Sequence, residues 1–261
     1  MLGICAYNLV AVRANDSDKS EMVTQLLFGD VYAVKEESEN GKWIQIEIAD
    51  DGYCGWIDKK LHSPIEEAYC AQLQKSEQYY CAEVVGFLKI GEAKQPLFFG
   101  SYLPLFDQKN CSLNAQEAIP FFGKAEKISK CTSGDEIVQR AKLYLSTPYL
   151  WGGKSHAGID CSGLVQMVFR SCGYKLKRDA YQQATMGTAV NSLSEARSGD
   201  LAFFSNDTGK IIHVGILINS KEIIHAHGKV RTDKIDKKGI INGDSGLYSH
   251  QLSSIISVIR T

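Results

Sequence analysis

The sequence predicts a multidomain chain, two small all-β units followed by an α+β domain. Its 261 residues suffice for two or three domains. Through residue 127, short apolar stretches alternate with Gly and Asp turn signals. Near Ile128 the apolar spacing becomes helical, and after Gly199 it returns to strands. Helices first and an antiparallel sheet after is an α+β arrangement.

Residues 1–64 give the first β unit. "AVRAN" alternates, "MVTQLLFGDVYAV" is β-rich with Gly29-Asp30 as a turn, and "KWIQIEIADDGYCGWID" alternates through Trp43, Ile44, Ile46 and Ile48. Asp51-Gly52 is a strong hairpin signal. Several short strands this close suggest a small barrel. Residues 65–127 form a second unit. "SPIEEAYCAQL" is a connector with a short helix, and "AEVVGFLKIG", "QPLFFGSYLPLFD" and "FFGKAEKIS" are strands, the second interrupted by Gly100 and Pro104. Residues 128–261 open with a helix whose N-cap is Ser133, with Glu136 as capping-box partner and Pro148 as its stop. "DCSGLVQMVFRSCGYKL" is a second helix, ended by Gly173. "KIIHVGILINS", "EIIHAHGKVR" and "SSIISVIRT" are strands.

Composition narrows the function classes. No apolar run approaches the roughly 18 residues of a membrane span. The start, "MLGICAYNLVAVRAND", lacks a basic n-region and its apolar stretch is interrupted, so the expected compartment is the cytoplasm, unless a leader has been trimmed. The eight cysteines are scattered without a CxxC, which argues against a zinc site or a disulfide framework. Net charge runs from -5 in residues 1–64 to -2 in 65–128 and +6 in 129–261. An acidic N-terminal part suits an amine, and a basic C-terminal part suits an acidic substrate. The basic residues do not cluster with aromatics, so nucleic acid is not an expected partner.

One stretch carries chemistry. In "YLWGGKSHAGIDCSGLVQMVF" a glycine-studded loop delivers Cys161 to the start of a helix. A free thiol has a pKa of about 8.5, and a helix N-terminus lowers it. The same N–H groups can hold an oxyanion, and Gly163 permits close approach on the next turn. Cys172, later on that helix, has none of these features and reads as core. A thiolate needs a base and the base an orienter. His213 in "IIHVGIL" and His225, twelve residues on in "IIHAHG", fall on neighbouring strands if the chain turns near Asn219-Ser220. A metal site from His225 and His227, which share a strand face, is the competing reading; it lacks a third ligand at convincing spacing.

"YLWGG…GIDCSGLVQMVF", "RDAYQQ", "GDLAFF", "HVGI" and "IIHA", in that order over residues 130–261, resemble the NlpC/P60 family of bacterial cell-wall cysteine peptidases. The resemblance implies a papain-like core with a Cys–His–His triad: Cys161 as nucleophile, His213 as general base and acid, His225 as its orienter. It implies hydrolysis of D-γ-glutamyl bonds in peptidoglycan peptides without cofactor or metal. Tyr149 matches a family tyrosine beside the oxyanion, although an aromatic filling the loop is the plain alternative. Asp160 and Ser162 match positions that bind a substrate's N-terminal amine, and Asp160 also suits the helix N-cap. Arg178 and Asp179 match a pocket motif in which relatives often carry a serine next; Ala180 stands there, which puts that hydroxyl's contact in doubt.

"SEMVTQLLFGD…KWIQI…DGYCGWI" resembles a bacterial SH3-like domain of the kind that precedes the peptidase in γ-D-glutamyl-L-diamino acid endopeptidases (the dipeptidyl-peptidase VI type). There the first such domain closes one end of the groove, and an acidic residue and a tyrosine meet the amine of L-Ala. Glu21 and Tyr53 are the matching residues, each equally suited to an ordinary surface or barrel role. Residues 65–127 would be a divergent second SH3-like domain. A buried carboxylate that lacks its ammonium is costly, so capped stems would be rejected. The implied enzyme is a monomer that cleaves freed stem peptides between γ-D-Glu and meso-diaminopimelate or L-Lys, in cell-wall recycling. A wall-binding protein with a degenerate peptidase part, and a papain-like amidase or acyltransferase, are the alternatives.

Overall fold

Strand signals in residues 1–65 form one antiparallel sheet. The computed structural model describes residues 1–114 and 117–259. The chain divides into two compact units, Met1–Ile128 and Ser129–Thr261.

In the first unit a seven-stranded sheet runs in the order Met22–Leu27, Leu9–Arg13, Cys54–Asp58, Trp43–Ile48, Val31–Glu37, Leu2–Ile4, Pro64–Ile65. Alternation works as expected: Ile44, Ile46 and Ile48 are buried, and Gln45 and Glu47 between them are less so. They pack with Val10, Val12, Leu26, Tyr32 and Ile57. Gly29 (φ 83°) and Gly52 (φ 72°) occupy the left-handed region at the two predicted turns. The strands Leu2–Ile4 and Pro64–Ile65, which the sequence does not announce, pair with each other at the sheet's edge.

Residues 66–127 build a second core from Cys81, Leu88, Leu97, Leu103, Cys111, Ile119 and Phe121, joined by Phe28 from the preceding segment. It holds the helix α1 (Glu67–Lys75), a four-stranded sheet and a three-stranded sheet. Gly100 (φ 83°) ends the strand Ala93–Phe98, and the chain resumes at Tyr102–Leu103 in the other sheet. Tyr102 donates its hydroxyl to Asp50 at 2.6 Å, so the two cores are stitched within one unit.

The second unit carries α2 (Gly134–Lys142), α3 (Cys161–Ser171) and the short α4 (Ala180–Gln183) against an antiparallel sheet. The sheet runs Thr188–Ala189, Tyr248–Ser257, Leu201–Ser205, Ile211–Asn219, Glu222–His227, Lys229–Ile235, Gly239–Ile241, and Gly239–Ile241 pairs back onto Tyr248–Ser257. That pairing closes it into a barrel-like sheet. Residues 260 and 261, which end the predicted terminal strand, lie outside the described residues.

Two helix-end expectations need correction. Ser133 is the N-cap of α2, but its side chain makes no cap hydrogen bond. Glu136 instead accepts from Arg140 at 2.7 Å, one helical turn on. The helix also ends at Lys142, ahead of Pro148. Ser146 adopts φ 69° and donates its N–H to Val230 at 2.9 Å, so the sheet draws the chain out of the helix first.

Candidate active site

The start of α3 is held from three directions. Asp160 is its N-cap: Oδ1 accepts from the Gly163 N–H at 2.7 Å and Oδ2 from the Gly152 N–H at 2.9 Å. Arg178 clamps the same carboxylate through Nη1 at 3.1 Å and Nη2 at 2.5 Å, and reaches Ser162 Oγ at 2.8 Å. Arg178 is 2% exposed and Asp160 5%. Such a bidentate, charge-assisted pair is among the stronger protein hydrogen bonds. Gln183 of α4 donates to the Ser162 carbonyl at 3.0 Å. A Cβ on Gly163 would lie 2.3 Å from the Gly153 carbonyl oxygen, so only glycine lets the loop lie this close to the first turn.

Cys161, the first residue of α3, is 7% exposed. The expected lowering of its pKa by the helix start is reversed. Burial pushes the thiol up to about 12, and the Asp160 carboxylate adds to that. The N–H groups of Val214 and Ser162 and the charge of Arg178 pull the other way without winning. The bond from Val214 N–H puts the sulfur beside the residue that follows His213. Tyr149 is in the same place: burial raises its phenol, and the proximity of Cys161 and Asp160 adds to that.

The histidines come from the expected hairpin, whose strands are Ile211–Asn219 and Glu222–His227. His225 lies opposite Gly215 in the register. A Cβ on Gly215 would meet the His225 Cβ at 2.9 Å, so this glycine makes room for the histidine strand. His213 Nε2 and His225 Nδ1 are 2.9 Å apart, and His225 Nε2 is 3.1 Å from Asp233 Oδ2. Burial pushes both histidines below their usual range, His213 well below, with the neighbouring histidines adding to the effect on His213. For Asp233 burial acts upward, but hydrogen bonds from His225, the Gly243 N–H and Arg231 outweigh it and bring the pKa to about 2.

These contacts assign the tautomers. An ionised carboxylate only accepts, so His225 carries its proton on Nε2. Neutral His225 then accepts on Nδ1, and His213 must donate from Nε2. His213 Nδ1 is left as the lone pair.

The sequence missed Asp233 and His250. Asp233, 4% exposed, is anchored by Arg231, with Nε at 2.8 Å and Nη2 at 3.0 Å. Its one signal was an acid on the same inward alternation as Ile235 in the strand Lys229–Ile235. His250 stacks on His213, with centroids 4.1 Å apart and planes 22° from parallel. Burial, followed by His225 and His227, lowers it to about 4. Nothing in "LYSHQLSS" announces it.

The remaining expected residues have the following local settings. Asp179 precedes α4, where Gln182 Oε1 accepts its N–H at 3.2 Å. Glu21 and Tyr53 belong to the first unit. Glu21 is exposed just ahead of the strand Met22–Leu27, and Tyr53 is half-buried against the first β core.

The chain is similar to known proteins in sequence and in fold. Residues 146–243 match the NlpC/P60 family, and residues 12–60 match the bacterial dipeptidyl-peptidase SH3 domain. The chain is 28% identical over 242 residues to the gamma-D-glutamyl-L-lysine dipeptidyl-peptidase of Bacillus subtilis (strain 168), covering 86% of this chain and 75% of the relative. Dipeptidyl-peptidase 6 of Lysinibacillus sphaericus is 27% identical, with 92% of each chain covered. The crystal structure of an NlpC/P60 family protein from Bacillus cereus ATCC 10987 covers the whole of both chains with a TM-score of 0.83 at 18% identity, a shared fold. The chain thus joins a bacterial SH3 domain to an NlpC/P60 peptidase domain.

Proposed function

We propose that the chain is a cysteine endopeptidase that cuts the γ-D-Glu–diamino acid bond of peptidoglycan stem peptides bearing a free N-terminal L-Ala. The observation that carries the reading is the aligned chain from Asp233 through His225 to His213, beside a thiol at a helix start. The names of the two dipeptidyl-peptidase relatives supply the bond.

Resting Cys161 is a neutral thiol and His213 a neutral base. As the sulfur attacks the γ-carbonyl, its proton moves to His213 Nδ1, and the ion pair exists only while the bond forms. The charge on His213 is met through His225 by Asp233. The tetrahedral oxyanion is held by the backbone N–H of Cys161 with help from the Tyr149 phenol. His213 returns the proton to the diamino acid's amine, which leaves. Water, deprotonated by His213, then hydrolyses the thioester and frees L-Ala-γ-D-Glu.

Recognition of the L-Ala ammonium is assigned to Glu21, Tyr53, Asp160 and Ser162. Asp160 already accepts from the Gly163, Gly152 and Ser162 donors and from Arg178, so its share acts through the shape of the α3 start. Arg178 and Asp179 support the pocket by fixing that start and the entry to α4. We assign three domains, 1–64, 65–127 and 128–261, the first two within one compact unit and the second of them a divergent SH3-like barrel. The enzyme acts as a monomer in cytoplasmic recycling, a compartment favoured by its eight free cysteines.

The test is turnover of L-Ala-γ-D-Glu-meso-diaminopimelate and its L-Lys counterpart by the wild type and by Cys161→Ala. The variant should fold and release no L-Ala-γ-D-Glu. Full turnover by Cys161→Ala would refute the mechanism.

A further inference from the structure

We infer that His213, His225 and His250 form a binding site for a zinc-like divalent metal ion, and that an ion bound there switches the catalytic base off. The three residues each offer a ring nitrogen, and these nitrogens all lie within 4.8 Å of one another. At a Zn–N distance of about 2.1 Å, two nitrogens on one tetrahedral ion are roughly 3.4 Å apart. The widest separation therefore closes by about 1.4 Å, and the half-buried His250 ring must also turn out of its stack on His213 for both lone pairs to meet one ion.

The surroundings favour a metal. His225 donates its far ring N–H to Asp233 at 3.1 Å, the carboxylate–histidine arrangement that orients metal-bound imidazoles. Asp233 is itself fixed by Arg231 and the Gly243 N–H. His250 Nδ1 is 2.9 Å from Ser249 Oγ, which leaves Nε2 for an ion. Three imidazoles without an oxygen ligand suit zinc, copper or nickel and do not suit calcium or magnesium. An ion would enter from the His250 side, where that residue borders a surface cavity of about 430 Å³ together with Ser205, Tyr248 and Gln251. The set differs from the His225–His227 pair that the sequence suggests: His227 lies outside it.

Inhibition follows from proton bookkeeping. Unbound, His213 carries its proton on Nε2 and keeps Nδ1 free. An ion on Nε2 requires that proton to move to Nδ1 through solvent. The net proton count is unchanged, but Nδ1 can no longer accept from Cys161. Binding itself is independent of the proposed peptidase reading; only the inhibition rests on it.

The experiment is calorimetric titration of the full chain with zinc chloride, with cobalt(II) absorbance as a second probe. Wild type, His250→Phe, His250→Gln and His227→Phe are compared, each checked for folding by circular dichroism. One ion per chain is expected at the histidine site. Both His250 variants should weaken it by more than the ~10–100-fold that loss of an outer-sphere partner costs. His227→Phe should stay within about twofold, because it removes no ligand. Nitrogen-15 spectra should show the His213 proton shift from Nε2 to Nδ1 on adding zinc. Unchanged affinity in folded His250 variants, or binding that tracks His227, would overturn the site.

Discussion

At the residue scale the decisive groups are Cys161, His213 and Asp233. The sequence places Cys161 correctly at a helix start, but a helix end is only one contribution to a thiol's pKa. Burial and Asp160 outweigh it and leave the thiol neutral. A neutral pair predicts a particular pH profile. His213 is pushed well below 6.5, so it stays unprotonated and competent as the solution turns mildly acidic. The acid limb of kcat/KM should therefore fall below pH 6.5, and alkylation of Cys161 by iodoacetamide should show no thiolate plateau between pH 5 and 8. A flat alkylation rate across that range would mean a preformed thiolate–imidazolium pair, and an acid limb above 6.5 would mean that His213 is not pushed down. Asp233 has its own signature. Asp233→Asn removes the charge that fixes the His225 tautomer and meets the imidazolium. It should cost about 10²–10⁴ in kcat, the usual scale of acid–base assistance, with KM little changed. A KM effect alone would reduce Asp233 to a packing role.

At the element scale, stability and the site meet at the first turn of α3. Arg178 and Asp160 form a buried bidentate pair, and loss of one partner strands a buried charge. Arg178→Ala should destabilise the unit by roughly 3–5 kcal/mol in chemical denaturation. Arg178→Met with Asp160→Asn should recover much of that, since no charge is then left unpaired; a single variant as stable as wild type would contradict the clamp. This scale also shows what was legible. The α3 start could be read because Asp160, Cys161 and Gly163 fall within four residues and each has a local reason to be there. The histidine hairpin could be read because twelve residues around an Asn219-Ser220 turn allow little else. Asp233 could not, because its contact with His225 depends on register with a third strand, where His225 faces Arg231 and not Asp233. His250 is further still, on a strand that reaches His213 only across the intervening strand Leu201–Ser205. The α2 terminus was misplaced because Val230, 84 positions beyond Ser146, competes for the chain.

At the scale of the whole molecule, a polar cluster inside the Ser129–Thr261 unit ties its stability to pH. His213, His225 and His250 are all lowered on folding. A histidine whose folded pKa lies below its unfolded value binds fewer protons when folded. Its stabilisation is present above about pH 6.5 and is lost as pH falls toward the folded value. The unfolding midpoint should therefore drop between pH 7 and pH 5, and His250→Phe should lessen the drop; a pH-independent midpoint would argue against neutral buried rings. Across the whole molecule, we propose that this peptidase selects the free amine of a stem peptide. The most direct measurement is a mass-spectrometric digest of L-Ala-γ-D-Glu-meso-diaminopimelate beside its N-acetylated twin, with Cys161→Ala as control. The predicted result is release of L-Ala-γ-D-Glu from the free-amine peptide alone, and none with the variant; equal cleavage of both peptides would contradict amine recognition by Glu21, Tyr53, Asp160 and Ser162.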